Sequence, residues 1–487
     1  MKRLTFAVLG VAAGLALLSP AGRAQAPAAE WDQNWPTWRG PAGSGVSTLA
    51  NPPLRWSETE NIRWKVEIPG RGNATPIVWG DKLFVLTAVP AGVGGDAQHA
   101  PRGGLSPRGV HRFVVMALDR QTGRTLWERV AREQEPHEAG HTDNSTWASS
   151  SPVTDGERVF AYFESFGIYA YDLNGTLLWE KDLGDKRMRN EFGEGSTPAL
   201  HGNTLVIVWD HLNGESFIVA LDKRDGRELW RVPRDEIDTW ATPLIVEVDG
   251  RAQVIVPAME RIRAYDLENG SIVWEGDGLT MNAIPSPVYE DGIAILMSGF
   301  RGNDLRAVRV ADAKGNIDGT NAVVWSFERD TPYVPSPILV DGIVYFLKTN
   351  SGILSAFDAK TGAPHYQNQR LEGVPNVFAS PVVANGILYF IKSNSGILSA
   401  FDVMTGKPLY QNQRLDGLPN VFSSPVSARD RVYLTGREGT TLVIKAGPVF
   451  EVLAKNQLDD GFDASPALVD NEMFLRGYKN LYAIAER

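Results

Sequence analysis

The sequence contains no cysteine among its 487 residues. Thiol catalysis, disulfide staples, Cys-ligated zinc, iron–sulfur clusters and thioether lipid attachment are therefore closed to it. A Lys/Arg-rich block is also missing: 48 Lys+Arg stand against 58 Asp+Glu, a net charge of −10. Duplex nucleic acid and anionic membrane surfaces both require concentrated positive charge, so neither is expected as a partner. Long apolar runs are absent except at the amino terminus. There Lys2 and Arg3 precede the apolar run 4–18, followed by Ala21, Gly22, Ala24 and Ala26. This is the three-part pattern of an export signal, and the run falls short of the ~20 residues a spanning helix needs. Residues 1–26 are read as that signal. Losing Lys2, Arg3 and Arg23 takes the charge from −10 to −13, and the mature chain is expected to be soluble in the periplasm or the medium.

What the chain has in abundance is punctuation. Ser-Pro or Thr-Pro followed by a short β-branched run recurs at Pro76, Pro152, Pro198, Pro243, Pro287, Pro337, Pro381, Pro425 and Pro466. After a first interval of 76, lengthened by a Gly-, Pro- and Ala-rich insertion at 89–111, the spacings are 46, 45, 44, 50, 44, 44 and 41. Such a period belongs to a solenoid or a propeller. In the sixth unit, residues 338–340 reach the turn Asp341-Gly342, residues 343–347 return, residues 353–358 follow a loop, and Lys360-Thr361-Gly362 turns into the last strand. Four strands of about five residues in ~44 residues predict a propeller blade, and comparable helical periodicity is lacking.

Between the third and fourth strands runs Ala117-x-Asp119-x-x-Thr122-Gly123-x-x-x-Trp127, repeated with variations around Gly175, Gly226, Gly270, Gly362 and Gly406. Glycine permits the positive φ of the turn, the aspartate can accept turn amide protons, and the small alanine leaves room for a ring. Trp64, Trp127, Trp179, Trp230, Trp274, Trp325, Tyr366 and Tyr410 are accordingly predicted to dock blade on blade. Each indole buries roughly 150–250 Å², around 4–6 kcal/mol gross at ~25 cal/mol/Å². The motif resembles the tryptophan-docking repeat of the pyrroloquinoline quinone (PQQ) type β-propellers, over nearly all of the chain beyond residue 60. That resemblance implies an all-β, closed propeller of four-stranded antiparallel blades. It also implies one of three roles: a calcium- and quinone-dependent alcohol or sugar dehydrogenase, an outer-membrane assembly factor, or an exported propeller of unassigned role. The opening Trp35-Pro36-Thr37-Trp38-Arg39-Gly40-Pro41 is similar to the start of the last group. The assembly factors are lipoproteins, and no lipid-bearing cysteine exists here.

The ninth unit holds only three strands of chain, and residues 61–66, Trp64 included, read as an orphan fourth. Pairing the two ends would close the ring and remove its exposed edges. On this count 61–487 forms nine blades behind an extended segment at 27–60, with the eight-bladed ring typical of the resembling family as the alternative. The surplus has a visible origin, because 337–380 and 381–424 are identical at 30 of 44 positions, the mark of a tandem copy.

In an antiparallel four-stranded blade, the loops joining strands two and three share a face with the blade-to-blade connections. The longest loops, 89–111 and 132–150, are one of each kind, which places a ligand-binding channel mouth on that face. Its candidate residues are His137, His141, Asn144, Glu194, Trp240, Asn282, Arg301, Lys348, Lys392, Arg437 and Asp463. His137-Glu138-Ala139-Gly140-His141 matches the HExxH pattern, which works by placing both histidines on one helix face. Pro136 and Gly140 deny it that helix, so it is read as a loop. His137, His141 and Asp143 form the one set from which a divalent metal site could be built. No residue is assigned a catalytic role. The adjacent cysteine pair of the resembling dehydrogenases cannot exist here, so PQQ with calcium is disfavoured as a cofactor. The expected function is a non-catalytic exported scaffold binding a protein, peptide or extracellular polymer at its mouth. A quinone- or metal-dependent oxidoreductase and an outer-membrane assembly factor are the alternatives.

Overall fold

Every repeat unit becomes one antiparallel sheet of four principal strands, and nine such blades form a closed propeller. The computed structural model describes residues 28–92, 109–141, 146–371 and 376–486. The signal reading at 1–26 and the candidates Asp143 and Asn144 lie outside these. Blades are numbered here by their Ser/Thr-Pro marker, blade 1 opening at Pro76. The two near-identical units each make a complete blade, Ile338–Val340 through Pro364–Arg370 and Val382–Ala384 through Pro408–Arg414. The tandem copy therefore enlarges the ring to nine and is not accommodated as an insertion. Closure uses Ile62–Glu67, which pairs antiparallel with Asn480–Ala485 and sets Trp64 opposite Ala483, completing blade 9.

The repeat motif explains how blades adhere. In its own sheet each ring stands opposite the small alanine of the motif, as in Ala117 with Trp127 and Ala220 with Trp230. It then reaches the next blade, where it lies on the turn glycine. A Cβ on Gly123, Gly175, Gly226, Gly270 or Gly362 would stand 2.5–2.6 Å from the indole of Trp64, Trp127, Trp179, Trp230 or Trp325, respectively. Glycine is thus needed there twice, for its positive φ and for its bare face. Each of these five indole N–H groups donates to a backbone carbonyl just upstream of that glycine: Arg120, Leu173, Lys223, Leu267 and Ala359 at 2.8–3.1 Å. Tyr366 lies on Gly406 in the same way.

Two rings differ. Trp274 is fully buried, but its N–H turns to Gln253 of its own blade. The longer connection in blade 5 adds a strand, Gly315–Asn316, alongside Trp274. Tyr410 sits edge-on to Phe450, ring centroids 5.5 Å apart.

The extended segment does more than precede the ring. Trp35 bridges to Val78 in blade 1, Pro36 accepts from the amide of Thr154 in blade 2, and Arg39 donates to the carbonyl of Pro381 in blade 7. Val46–Ser47 then runs parallel to Val426–Ala428 in blade 8. Residues 31–47 therefore cross the underside of the ring as a plug, and Trp38 is presented to the channel. No helix among the described residues is long and apolar enough to cross a membrane.

Candidate functional site

The nine marker motifs converge on the channel axis. Thr75, Ser151, Thr197, Thr242, Ser286, Ser336, Ser380, Ser424 and Ser465, each just before its proline, all line one cavity of about 340 Å³. A residue before proline is held extended, which aims these hydroxyls around the ring. At seven of the nine blade-to-blade steps, the amide N–H of one hydroxyl residue donates to the hydroxyl oxygen of the next at 3.0–3.3 Å. Trp38 of the plug forms the cavity floor.

Two residues before each hydroxyl sits a rim position, and these differ from blade to blade. Blades 4 to 8 contribute Trp240, Ile284, Val334, Phe378 and Phe422, whereas blades 9, 1 and 2 contribute Asp463, Asn73 and Ser149. The rim is therefore apolar along one arc and polar along the other. Phe378 and Phe422 stack with centroids 5.4 Å apart. The Arg437 guanidinium lies 3.4 Å over the Phe422 ring centroid while pairing with Asp463. The Trp240 indole donates to the carbonyl of Gly193 at 2.8 Å.

A smaller cavity of about 20 Å³ adjoins the mouth, and Ser149 lines both. His137, Glu138, Tyr162, Glu164 and Glu194 surround it. Lys186 lies 3.4 Å from Glu164 and 3.3 Å from Glu194, and Ser150 donates to Glu164. Burial pushes the Glu164 carboxyl well above the usual range, although Lys186 opposes this. Burial likewise raises Glu138 to about 6, despite the bond it accepts from the Met188 amide. Burial works against the charge of Lys186, but Tyr162, Glu194 and Glu164 more than offset it, so the ammonium is held more firmly than usual. Glu164 adopts the left-handed backbone, φ 58°, a strained conformation for a non-glycine residue.

The raised Glu138 value fixes a pH dependence. Its stabilising contribution is present in full below the ordinary carboxyl value of about 4.3 and is lost as pH rises through about 6. Glu138→Gln should therefore reduce the loss of stability between pH 4.5 and 7.5 by about 1 kcal/mol, after allowance for partial solvent screening. Urea unfolding at the two pH values checks this; an unchanged difference contradicts it.

The sequence candidates separate into groups. Trp240 and Asp463 line the mouth, with Arg437 behind Asp463. His137 and Glu194 line the side cavity instead. The HExxH stretch is an irregular loop: the His137 Nε2–H donates to the Lys186 carbonyl, and His141 packs edge-on against Phe192. Among the described residues no group of three or more His, Asp or Glu side chains is arranged to hold a metal. Asn282, expected on the binding face, is completely buried, its amide directed at the Tyr333 hydroxyl. Lys348 bonds Asn303, Arg301 lies on the exposed turn after Phe300, and Lys392 is half-buried on blade 7; none of these three lines either cavity. Sequence reasoning missed Trp38, the rim residues Ile284, Val334, Phe378 and Phe422, and the Glu164–Lys186 pair. The rim could have been found by counting two positions back from every marker.

Comparison with known proteins bears on this geometry. A curated relative, the outer membrane protein assembly factor BamB of Francisella salina, is 28% identical over 107 residues, 22% of this chain and 18% of that protein's length. The chain thus matches less than a fifth of that relative. Among solved structures, a europium-containing methanol dehydrogenase aligns with a TM-score of 0.53 at 11% identity, covering 91% of this chain and 89% of the other. The quinohemoprotein alcohol dehydrogenase of Comamonas testosteroni gives 0.53 at 12% identity over 93% and 81%. At these identities the likeness concerns the fold. The PQQ_2 family model, described as outer membrane protein assembly factor BamB, matches residues 46–194, 164–316 and 315–485, so the chain belongs to this family of PQQ-repeat propellers.

Proposed function

We propose that this chain is an exported scaffold, working in the periplasm or the medium, that holds an extended polypeptide segment in its channel mouth. The observation carrying this reading is the two-sided rim above a ring of hydroxyls. An extended segment turns alternate side chains to opposite sides, so one set can lie along the arc from Trp240 to Phe422 while polar groups face Asp463 and Asn73. The family relative's description as an assembly factor supports a polypeptide client.

The residues present do not fit a PQQ–calcium centre. Lys186 stands against Glu164 and Glu194, and Arg437 closes on Asp463, so these carboxylates at the mouth and side cavity already face cations, and among the described residues no group of three or more His, Asp or Glu side chains is arranged to hold a metal.

The test is fluorescence anisotropy with a short labelled peptide alternating Val/Phe with Thr/Lys. Phe378→Ser combined with Phe422→Ser should weaken its binding at least about tenfold, some 1.4 kcal/mol. Val449→Ser, at a position 73% exposed on the outer surface, should leave it unchanged. Equal affinity in all three proteins overturns the proposal.

A further inference from the structure

The plug leaves part of the lower channel unfilled. A second cavity, of about 390 Å³, lies between Trp31, Trp38 and residues 42–44 on one side and the innermost strands of blades 3 to 6 on the other. Its size is that of a small-molecule pocket. The wall is mainly apolar, with Leu200, Leu244, Val288 and Leu339 along it, and one charged side chain, Arg39, among its lining residues.

Arg39 is unusual in this molecule. It is 4% exposed, its Nη2 donates to the carbonyls of Ser44 and Pro381 at 2.7 Å each, and its Nε has no acceptor. Other buried cations are answered by carboxylates: Arg234 by Asp210, Lys223 by Asp155, Arg437 by Asp463. Arg476, also deeply buried, has Asp460 within electrostatic range. Among the described residues Arg39 has no such counter-charge, and burial alone lowers its pKa, to about 10. It is also held at φ 62°, in the left-handed region that a non-glycine residue adopts only when its surroundings impose it. A buried charge is disfavoured until it is paired, and an anion meeting it in this chamber would have to carry an apolar body.

We propose that the chamber beneath Trp38 binds a small amphipathic carboxylate of the medium-chain fatty acid class, its head on Arg39 and its chain along blades 3 to 6. This site lies across Trp38 from the mouth and does not depend on the polypeptide reading.

Isothermal titration calorimetry of the mature protein with decanoate, below its micellar range, and with 1-decanol tests it. Decanoate should bind at least tenfold more tightly than the alcohol, and Arg39→Met should remove that preference. Because Arg39 also anchors the plug, Leu244→Trp provides a variant outside it. This substitution narrows the chamber along its apolar wall and should weaken decanoate binding at least tenfold without changing thermal unfolding. No binding by the native protein, equal affinity for acid and alcohol, or undiminished binding by Leu244→Trp would each overturn the assignment.

Discussion

Trp230→Ala should lower the free energy of unfolding by about 3–5 kcal/mol, the usual cost of removing a large aromatic from a packed site. The indole is 8% exposed, donates to the Leu267 carbonyl at 2.9 Å, and lies on Gly270 of blade 4. Gly270→Ala should be comparably harmful for a different reason. Its Cβ would stand 2.6 Å from the same ring, on a backbone with φ of +75°. The two losses share one contact, so they should not add. With the ring gone the added methyl has room, and the double variant should be at least about 1 kcal/mol more stable than the sum of the single effects predicts. Denaturant unfolding of the four proteins measures the coupling, and strict additivity would mean that the ring does not bear on the glycine.

Removal of all residues through 67 should abolish cooperative folding. Blade 9 would keep three strands and expose the edge of Asn480–Ala485, to which Ile62–Glu67 normally pairs. The plug would be lost with it. An unpaired strand edge is a template for association, so the truncated chain is expected to elute as large species in size-exclusion chromatography with light scattering. A synthetic peptide covering residues 56–68 should recover monomer, because it restores the missing strand. A truncated chain that remains monomeric and unfolds as sharply as the full one would contradict the closure.

Periodicity made the scaffold legible. The Ser/Thr-Pro markers and the Ala-Asp-Gly-Trp spacing recur because every blade solves the same packing problem, so nine blades, the closing strand at Trp64 and the docking rings could be read from the chain. The glycine's second duty, as the surface on which the neighbouring indole rests, was hidden because it involves two blades at once. The mouth was hidden for the opposite reason. Its rim positions share an offset but not an identity, running from Asn73 and Ser149 through Trp240 to Phe378 and Asp463, so no residue type marks them. Choosing candidates from the right loops found Trp240 and Asp463 but also selected Asn282, which is 0% exposed. Trp38 belongs to the non-repeating segment, where no period reveals that it reaches the channel. Glu164 and Lys186 come from different parts of blade 2 and its exit loop, and only folding brings them into contact.

The most direct measurement places a nitroxide on the alternating Val/Phe–Thr/Lys peptide and follows paramagnetic broadening in selectively labelled protein. The account predicts that the Trp240 indole and the Ile284 and Val334 methyl signals broaden first, while Val449 and Val452 on the outer surface keep their linewidths. Broadening confined to outer strands, with the rim untouched, would contradict it.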